Sequence, residues 1–132
     1  MLFVTNDFGP RAGGIETFVI GLIERLPFGT AVIYTSSQGD TAEYDRGWLE
    51  KHGAEIIRDR AKILLPTPRV AMAVKKIAKE KNISIASFGA AAPLGLLASS
   101  LRKAGVKKIV ALTHGHEVWW AKVFPFSFAL RK

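Results

Sequence analysis

The fold is decided by residues 2–14, which read Leu2-Phe3-Val4-Thr5-Asn6-Asp7-Phe8-Gly9-Pro10-Arg11-Ala12-Gly13-Gly14. The first four residues form a short apolar run that is typical of a buried strand. A turn-rich segment follows, and the paired glycines precede an amphipathic run. A strand that leads through a glycine-containing loop into a helix is typical of an α/β fold with a parallel sheet.

Beyond this opening, short β-branched runs alternate with amphipathic runs. In the first helix, Pro27 ends an apolar pattern with helical spacing that comprises Ile15, Phe18, Val19, Leu22, Ile23 and Leu26. Thr67 and Pro68 are typical of a helix N-cap and first turn, and Gly105 is typical of a C-terminal cap. The predicted strands are 2–5, 31–35, 55–58, 83–88 and 108–113, and the predicted helices are 15–26, 44–52, 67–81 and 90–103.

This alternation predicts an α/β fold, with a Rossmann-like parallel sheet and helices on both faces. In such sheets, ligands bind beyond the carboxyl ends of the strands. The segments 6–14 and 113–117 follow the first and fifth predicted strands. We therefore expect the two segments to converge on one crevice.

Composition limits the function classes. The 132 residues suit one domain, and the absence of cysteine excludes disulfides, cysteine zinc sites and a thiol nucleophile. Nineteen Lys and Arg against eleven Asp and Glu give a net charge of +8, which predicts an anionic partner: nucleic acid, nucleotide or phospholipid. Neither a spanning apolar stretch nor a signal-peptide pattern is present, so a cytosolic chain is expected.

Gly13 and Gly14 open the first predicted helix. Glycines let the backbone approach a phosphate closely, and a helix N-terminus offers N–H groups to an anion. The spacing is not the GxGxxG of dinucleotide-binding proteins. A phosphate contact and a simple flexible turn both remain open.

His114 and His116 bracket Gly115, with Glu117 beside them. A metal site is disfavoured, because His52 is the remaining histidine and neither HExxH nor a cysteine pair occurs. A histidine at the carboxyl end of a strand can instead contact a sugar hydroxyl or a developing charge. A purely structural histidine is the alternative interpretation.

Residues 58–81 carry a basic run that comprises Arg58, Arg60, Lys62, Arg69, Lys75, Lys76, Lys79 and Lys81. A solvated helix face explains the lysines, whereas an anionic membrane surface is the functional alternative. The last fifteen residues are aromatic and basic, with Trp119 and Trp120 near Lys122. Core packing is favoured there over an interfacial segment.

Three motifs point to a known family. The segment Val4-Thr5-Asn6-Asp7-Phe8-Gly9-Pro10-Arg11-Ala12-Gly13-Gly14-Ile15-Glu16 resembles the opening of the retaining, GT-B-fold glycosyltransferases of family four. The segments Phe88-Gly89-Ala90-Ala91-Ala92-Pro93-Leu94-Gly95 and Thr113-His114-Gly115-His116-Glu117-Val118-Trp119-Trp120-Ala121-Lys122-Val123 narrow the resemblance to PimB-type mannosyltransferases. These enzymes transfer mannose from GDP-mannose to phosphatidyl-myo-inositol monomannoside. The family usually has proline where this chain has Gly9, a change that we expect to loosen the loop.

The resemblance implies roles for individual residues. Gly13 and Gly14 match the loop whose amides approach the donor diphosphate, and His114 matches the histidine beside the reacting centre. We expect the remaining contacts, to substrate, from Arg11, His116 and Glu117. No cofactor and no metal is expected. The implied partners are GDP-mannose as donor substrate, a phosphoinositol glycolipid as acceptor, and an anionic membrane surface, but no nucleic acid.

The resemblance also implies a domain organisation. A GT-B enzyme has two Rossmann-like domains, so residues 1–132 are expected to be a single, incomplete, amino-terminal acceptor-side domain. The carboxyl-terminal donor-binding domain would be absent, and the chain would be inactive alone. Its expected location is cytoplasmic, peripheral on the inner face of the cell membrane.

Three other function classes stay open from the residues themselves. The first is a noncatalytic module that binds anionic lipid or nucleotide. The second is an NAD(P)-type oxidoreductase, which the missing GxGxxG weakens. The third is a nucleic-acid binder, although the sequence has no RNP-type or helix-turn-helix motif.

Overall fold

The computed structural model describes residues 1–10 and 14–112. Its strands are β1 (Leu2–Thr5), β2 (Val32–Thr35), β3 (Glu55–Arg58), β4 (Ile85–Phe88) and β5 (Lys108–Ala111). Its α-helices are α1 (Gly14–Glu24), α2 (Ala42–His52), α3 (Pro68–Glu80) and α4 (Ala98–Lys103), and a 3₁₀ turn spans Leu94–Leu97. The predicted order of strands and helices is thus confirmed, with several ends displaced.

All strand pairs are parallel, and the order across the sheet is β3-β2-β1-β4-β5. In the register, Val4 lies between Tyr34 and Phe88. The chain builds outward from β1 to β3 and then returns to the other side of β1. The topological switch point therefore lies between β1 and β4, as in a Rossmann-like fold.

Two apolar cores cover the two faces of the sheet. Alternation along β1 directs Leu2 and Val4 into the core with α3 and α4, whereas Phe3 enters the opposite core with α1 and α2. All three side chains are at most 1% exposed. The prediction of helices on both faces is confirmed.

The α3 helix follows its sequence signals closely. Thr67 adopts an extended backbone, and its Oγ1 accepts a hydrogen bond from the Val70 N–H at 3.3 Å. Pro68 occupies the first turn, where its missing N–H costs nothing. The buried side of the helix consists of Val70, Val74, Ile77 and Ala78.

The helix predicted at 90–103 is shorter than expected. Regular α-helix begins only at Ala98, after the 3₁₀ turn. Pro93 explains why no helix forms before it, since proline lacks a backbone N–H and restricts the residue before it, and the turn that follows is 3₁₀ rather than α. The buried positions predicted here are nevertheless confirmed: Leu94, Leu97, Ala98 and Leu101. Gly105 follows the helix with a φ of +96°, as a C-terminal glycine should.

Other ends differ too. The fourth strand begins at Ile85 rather than residue 83, and the fifth ends at Ala111, with residue 113 outside the described residues. Phe18 is 50% exposed although it was predicted in the apolar stripe of α1. The buried line runs through Val19 and Ile23, and Phe18 lies about 100° around the helix from Val19.

Among the helices of residues 1–10 and 14–112, none combines the length and the apolarity needed to cross a bilayer.

Candidate functional site

The carboxyl edge of the sheet is tightest where β1 meets β4. The Gly89 N–H donates to the Val4 carbonyl at 2.9 Å. A Cβ added at Gly89 would lie 2.6 Å from the Cβ of Thr5, closer than side chains tolerate. Glycine is therefore required here, and the two loops leave the switch point in close contact.

Asn6, directly after β1, pairs its side-chain amide with the backbone of a distant loop. Its Nδ2 donates to the Leu64 carbonyl at 3.1 Å, and its Oδ1 accepts from the Leu64 N–H at 2.6 Å. The amide thus replaces a strand backbone as partner for Leu64, which is fully buried. This pairing connects the β1–α1 loop to the loop between β3 and α3.

Gly9 is fixed from two sides. Its carbonyl accepts a hydrogen bond from Arg58 Nη2 at 2.6 Å. On the other side, an added Cβ would lie 2.6 Å from the Tyr44 ring and 2.7 Å from Glu16 Oε1. The preceding carbonyl, of Phe8, accepts from Gln38 Nε2. The sequence comparison with the family suggested that Gly9 loosens the loop. The hydrogen bond from Arg58 and the packing against Tyr44 and Glu16 instead hold Gly9 in place.

Arg58, the last residue of β3, connects several segments through one guanidinium group. It pairs with Asp45 of α2, with 2.8 Å between Nη2 and Oδ1 and 3.1 Å between Nε and Oδ2. Nη1 donates to the Ser36 carbonyl at 3.3 Å, and the guanidinium carbon lies 5.8 Å from the centre of the Phe8 ring. Only 12% of the Arg58 side chain is exposed, so the group acts inside the fold.

Asp59, the next residue, forms a second cluster on the opposite face. Its carboxylate accepts from Arg69 at 2.6 and 2.8 Å, from the Tyr34 hydroxyl at 2.6 Å and from the Ala61 N–H at 2.9 Å. The hydrogen bonds from Arg69 hold the pKa of Asp59 well below its usual range, against the opposing effect of burial. Burial and the bond to Asp59 raise the pKa of Tyr34.

Glu16 brings a buried carboxyl group to the first turn of α1. It is 7% exposed. Burial raises the pKa of Glu16, and the nearby negative charge of Asp7 raises it further. An anion at the start of α1 would therefore lie near a carboxyl group that ionises less readily than usual.

Gly14 is the first residue of α1 and is exposed, and no atom of the described residues lies within 4 Å of an added Cβ. The other predicted site residues lie outside the described residues: Arg11, Gly13, His114, His116 and Glu117. Leu112, the last described residue, lies two interstrand spacings, about 10 Å, from the line of β1. The convergence of segments 6–14 and 113–117 therefore stays a prediction.

The basic run divides into paired and unpaired side chains. Besides Arg58 and Arg69, Lys81 contacts Glu55 at 2.5 Å and Lys76 contacts Glu80 at 3.9 Å. Within the described ranges, no carboxylate lies within 4 Å of the others: Arg60, Lys62, Lys75 and Lys79. Arg58 and Arg69 thus serve the fold, and the lysines of α3 fit both a solvated helix face and a membrane-binding surface.

Sequence reasoning missed Asn6, Asp45 and Arg58 as loop-fixing residues. Arg58 was counted as one charge in a basic run, because its partners are 13 to 49 residues away. The one available signal was its position at the end of a strand, where alternation points it to the α2 face.

A cleft of about 540 Å³ lies between the loops that follow β2 and β3, and it is lined by Ser37, Gln38, Gly39, Lys62 and Ile63. It is open, and its Gln38 donates to the Phe8 carbonyl, which precedes the Gly9 carbonyl that Arg58 binds. In the part of the chain that the structure describes, no group of three acidic or histidine side chains could hold a metal ion.

Several known mannosyltransferases are similar in sequence to this chain over 99% to 100% of its length. A GDP-mannose-dependent monoacylated alpha-(1-6)-phosphatidylinositol monomannoside mannosyltransferase of Corynebacterium glutamicum is 40% identical over 131 residues, which is 99% of this chain. The corresponding GDP-mannose-dependent mannosyltransferases of Mycolicibacterium smegmatis and Mycobacterium tuberculosis are 39% and 36% identical over all of it. The chain resembles these mannosyltransferases from end to end.

The resemblance predicted from the motifs is therefore confirmed. The chain spans about a third of the length of these mannosyltransferases, 34% to 35%, and the match lies in their amino-terminal part. No protein-family model matches the chain.

Proposed function

We propose that this chain is the amino-terminal, acceptor-side domain of a retaining mannosyltransferase that uses GDP-mannose and acts on phosphatidyl-myo-inositol mannoside. The observation that carries the proposal is the identity of 36% to 40% over the whole chain to mannosyltransferases of that name. The Rossmann-like sheet supports it, because its carboxyl edge provides the glycine-containing loop and the start of α1 for a diphosphate.

The proposal divides the reaction between two domains. Most donor contacts would come from a carboxyl-terminal domain, while residues 1–132 would contribute Gly13, Gly14 and the His114 motif. Transfer requires the donor held in a fixed geometry against the acceptor. The purified chain alone should therefore transfer no mannose.

A radiolabel transfer assay tests this division. The isolated chain is compared with a chimera in which it replaces the matching 131 residues of the C. glutamicum relative. We expect label in the glycolipid with the chimera and none with the chain alone. Turnover by the chain alone would contradict the division of labour, and an inactive but folded chimera that still binds GDP would contradict the proposed function.

Gly14→Val tests the glycine loop. Among the described residues no atom lies within 4 Å of the added Cβ, so we expect the variant to fold while its side chain obstructs a diphosphate at the start of α1. In the chimera we expect the KM for GDP-mannose to rise and the thermal midpoint to change little. Gly47→Val, also without nearby atoms, is the matched control in α2. An unchanged KM for GDP-mannose would contradict a contact between the donor diphosphate and the start of α1.

We also propose that the domain rests on the inner face of the cell membrane through one exposed surface. On α3, Met72, Lys75, Lys76 and Lys79 share one stripe, directly opposite the buried one. Met72 is 72% exposed, and the adjoining loop exposes Ile63 and Leu65 beside Lys62. Basic and apolar side chains together are typical of attachment to anionic lipid.

Vesicle co-sedimentation at low and high salt tests the membrane surface. Each basic residue near an anionic leaflet contributes about 1 kcal/mol, and the attraction decays over about 8 Å at physiological salt. Lys75→Glu/Lys76→Glu/Lys79→Glu should abolish pelleting with anionic vesicles, whereas Arg46→Glu/Lys51→Glu, on α2 at the opposite face of the sheet, should not. Equal pelleting with neutral lipid, or loss only with Trp119→Ala/Trp120→Ala, would contradict this surface.

A further inference from the structure

The β1–α1 loop is held mainly by side chains of other elements. Asn6 binds the backbone of Leu64, Gln38 binds the carbonyl of Phe8, and Arg58 binds the carbonyl of Gly9. Arg58 makes the most extensive of these connections, because the same guanidinium also holds Asp45 and the Ser36 carbonyl. Among these side chains, Arg58 connects residues 6–10 to the largest number of other segments.

The loop leads directly to the start of α1. Gly9 also packs against the first turn of α1, since a Cβ added at Gly9 would lie 2.7 Å from Glu16 Oε1. A displaced Gly9 would therefore disturb the start of this helix. Tyr44 and Glu16 pack on one side of Gly9, and Arg58 holds its carbonyl from the other side. A donor diphosphate at Gly14 needs the backbone in place beforehand, because binding energy is otherwise spent on ordering the loop.

We propose that Arg58, anchored by Asp45, is a positioning residue of the donor site. It acts through the Gly9 carbonyl and holds residues 6–10 against the first turn of α1, where Gly14 would receive the diphosphate of a nucleotide-sugar donor. This inference rests on the proposed function. Lysine cannot replace Arg58, since one ammonium group cannot pair with both Asp45 oxygens while bonding the Gly9 and Ser36 carbonyls.

Titration calorimetry with GDP tests the inference on the chimera described above, because the proposed function assigns most donor contacts to the carboxyl-terminal domain. Arg58→Lys should weaken GDP binding about tenfold, the change expected when the competent loop population falls to about a tenth. The matched control is Arg69→Lys, which disrupts the neighbouring pair with Asp59 on the opposite face. Arg69→Lys should change the Kd for GDP by no more than about twofold, far less than the tenfold change expected for Arg58→Lys.

A second variant separates positioning from stability. Asp45→Asn removes the anchor of Arg58, so Asp45→Asn/Arg58→Lys should bind GDP no more weakly than Arg58→Lys alone. Urea unfolding of all variants shows whether the affinities merely follow stability.

The outcomes are distinct. Unchanged GDP affinity in the chimera that carries Gly14→Val contradicts the proposed donor site, and the role of Arg58 with it. Weaker GDP binding by Gly14→Val together with unchanged binding by Arg58→Lys overturns the positioning role alone. A loss of affinity that tracks the loss of stability equally in Arg58→Lys and Arg69→Lys also overturns it.

Discussion

Two consecutive residues, Arg58 and Asp59, each form an Arg–Asp pair, and the two pairs lie on opposite faces of the sheet. Arg58 points to the α1 and α2 face and pairs with Asp45, whereas Asp59 points to the α3 face and pairs with Arg69. The strand alternation alone separates them. One pair fixes the loop after β1, and the other fixes the loop before α3.

The pairs differ in which partner is buried. In the first, the arginine side chain is 12% exposed and also serves two backbone carbonyls, while Asp45 is 20% exposed. In the second, the carboxylate is 6% exposed and the Arg69 side chain is 40% exposed. The comparison teaches that the buried member organises its surroundings, because it must satisfy all of its hydrogen-bonding groups.

The largest effect is expected from removing the buried arginine. Arg58→Met should lower the free energy of unfolding by about 3 kcal/mol, because Asp45 and two carbonyls lose a charged donor inside the fold. Arg69→Met should lower the free energy of unfolding by less, because the Arg69 side chain is partly exposed and because Asp59 would keep its hydrogen bonds from Tyr34 and Ala61. Urea denaturation measures both. Equal losses would mean that burial does not distinguish the pairs.

A smaller effect, with a pH signature, is expected from Asp59→Asn. The depressed pKa means that folding favours the ionised carboxylate, so its stabilisation is present above the ordinary pKa of 3.8 and is lost as pH falls below it. The variant should be about 2 kcal/mol less stable at neutral pH and should converge with the unmodified chain in acid. Thermal midpoints across the acid range provide the measurement. A constant difference at all pH values would refute the linkage.

The smallest effect is expected on the other face, with the opposite sign. The raised pKa of Glu16 means that its contribution is most favourable below its ordinary pKa of 4.5 and is lost as pH rises through the folded value. Glu16→Gln should therefore raise the thermal midpoint slightly at neutral pH and leave it unchanged in acid. Glu24→Gln, exposed on the same helix, is the control. A lowered midpoint would show that the ionised carboxylate is needed.

Much of the fold was predictable because local signals and burial agree. The apolar run of β1, the Thr67 cap and the stripe of α3 each specify one structure. The late start of α4 was predictable in principle from Pro93 but was missed, because the apolar spacing continues through it.

The site was less predictable, because its supporting contacts are long-range. Gly14 was identified from local sequence, whereas the bond between Arg58 and Gly9 spans 49 residues and has no local pattern. Gly9 was expected to be loose because a glycine is flexible in isolation. Its packing against Tyr44 and Glu16 depends on how α2 crosses the loop, which no periodicity specifies.

The pairing of Asn6 with Leu64 makes one residue an internal reporter of loop opening. The Leu64 N–H is protected from solvent by an amide side chain rather than by a neighbouring strand. Its hydrogen-exchange rate therefore measures how often the two loops separate, independently of global unfolding. Exchange at Leu64 that is faster than at Val4 but slowed by a bound ligand would show that the carboxyl edge opens as a local unit and closes on what it binds.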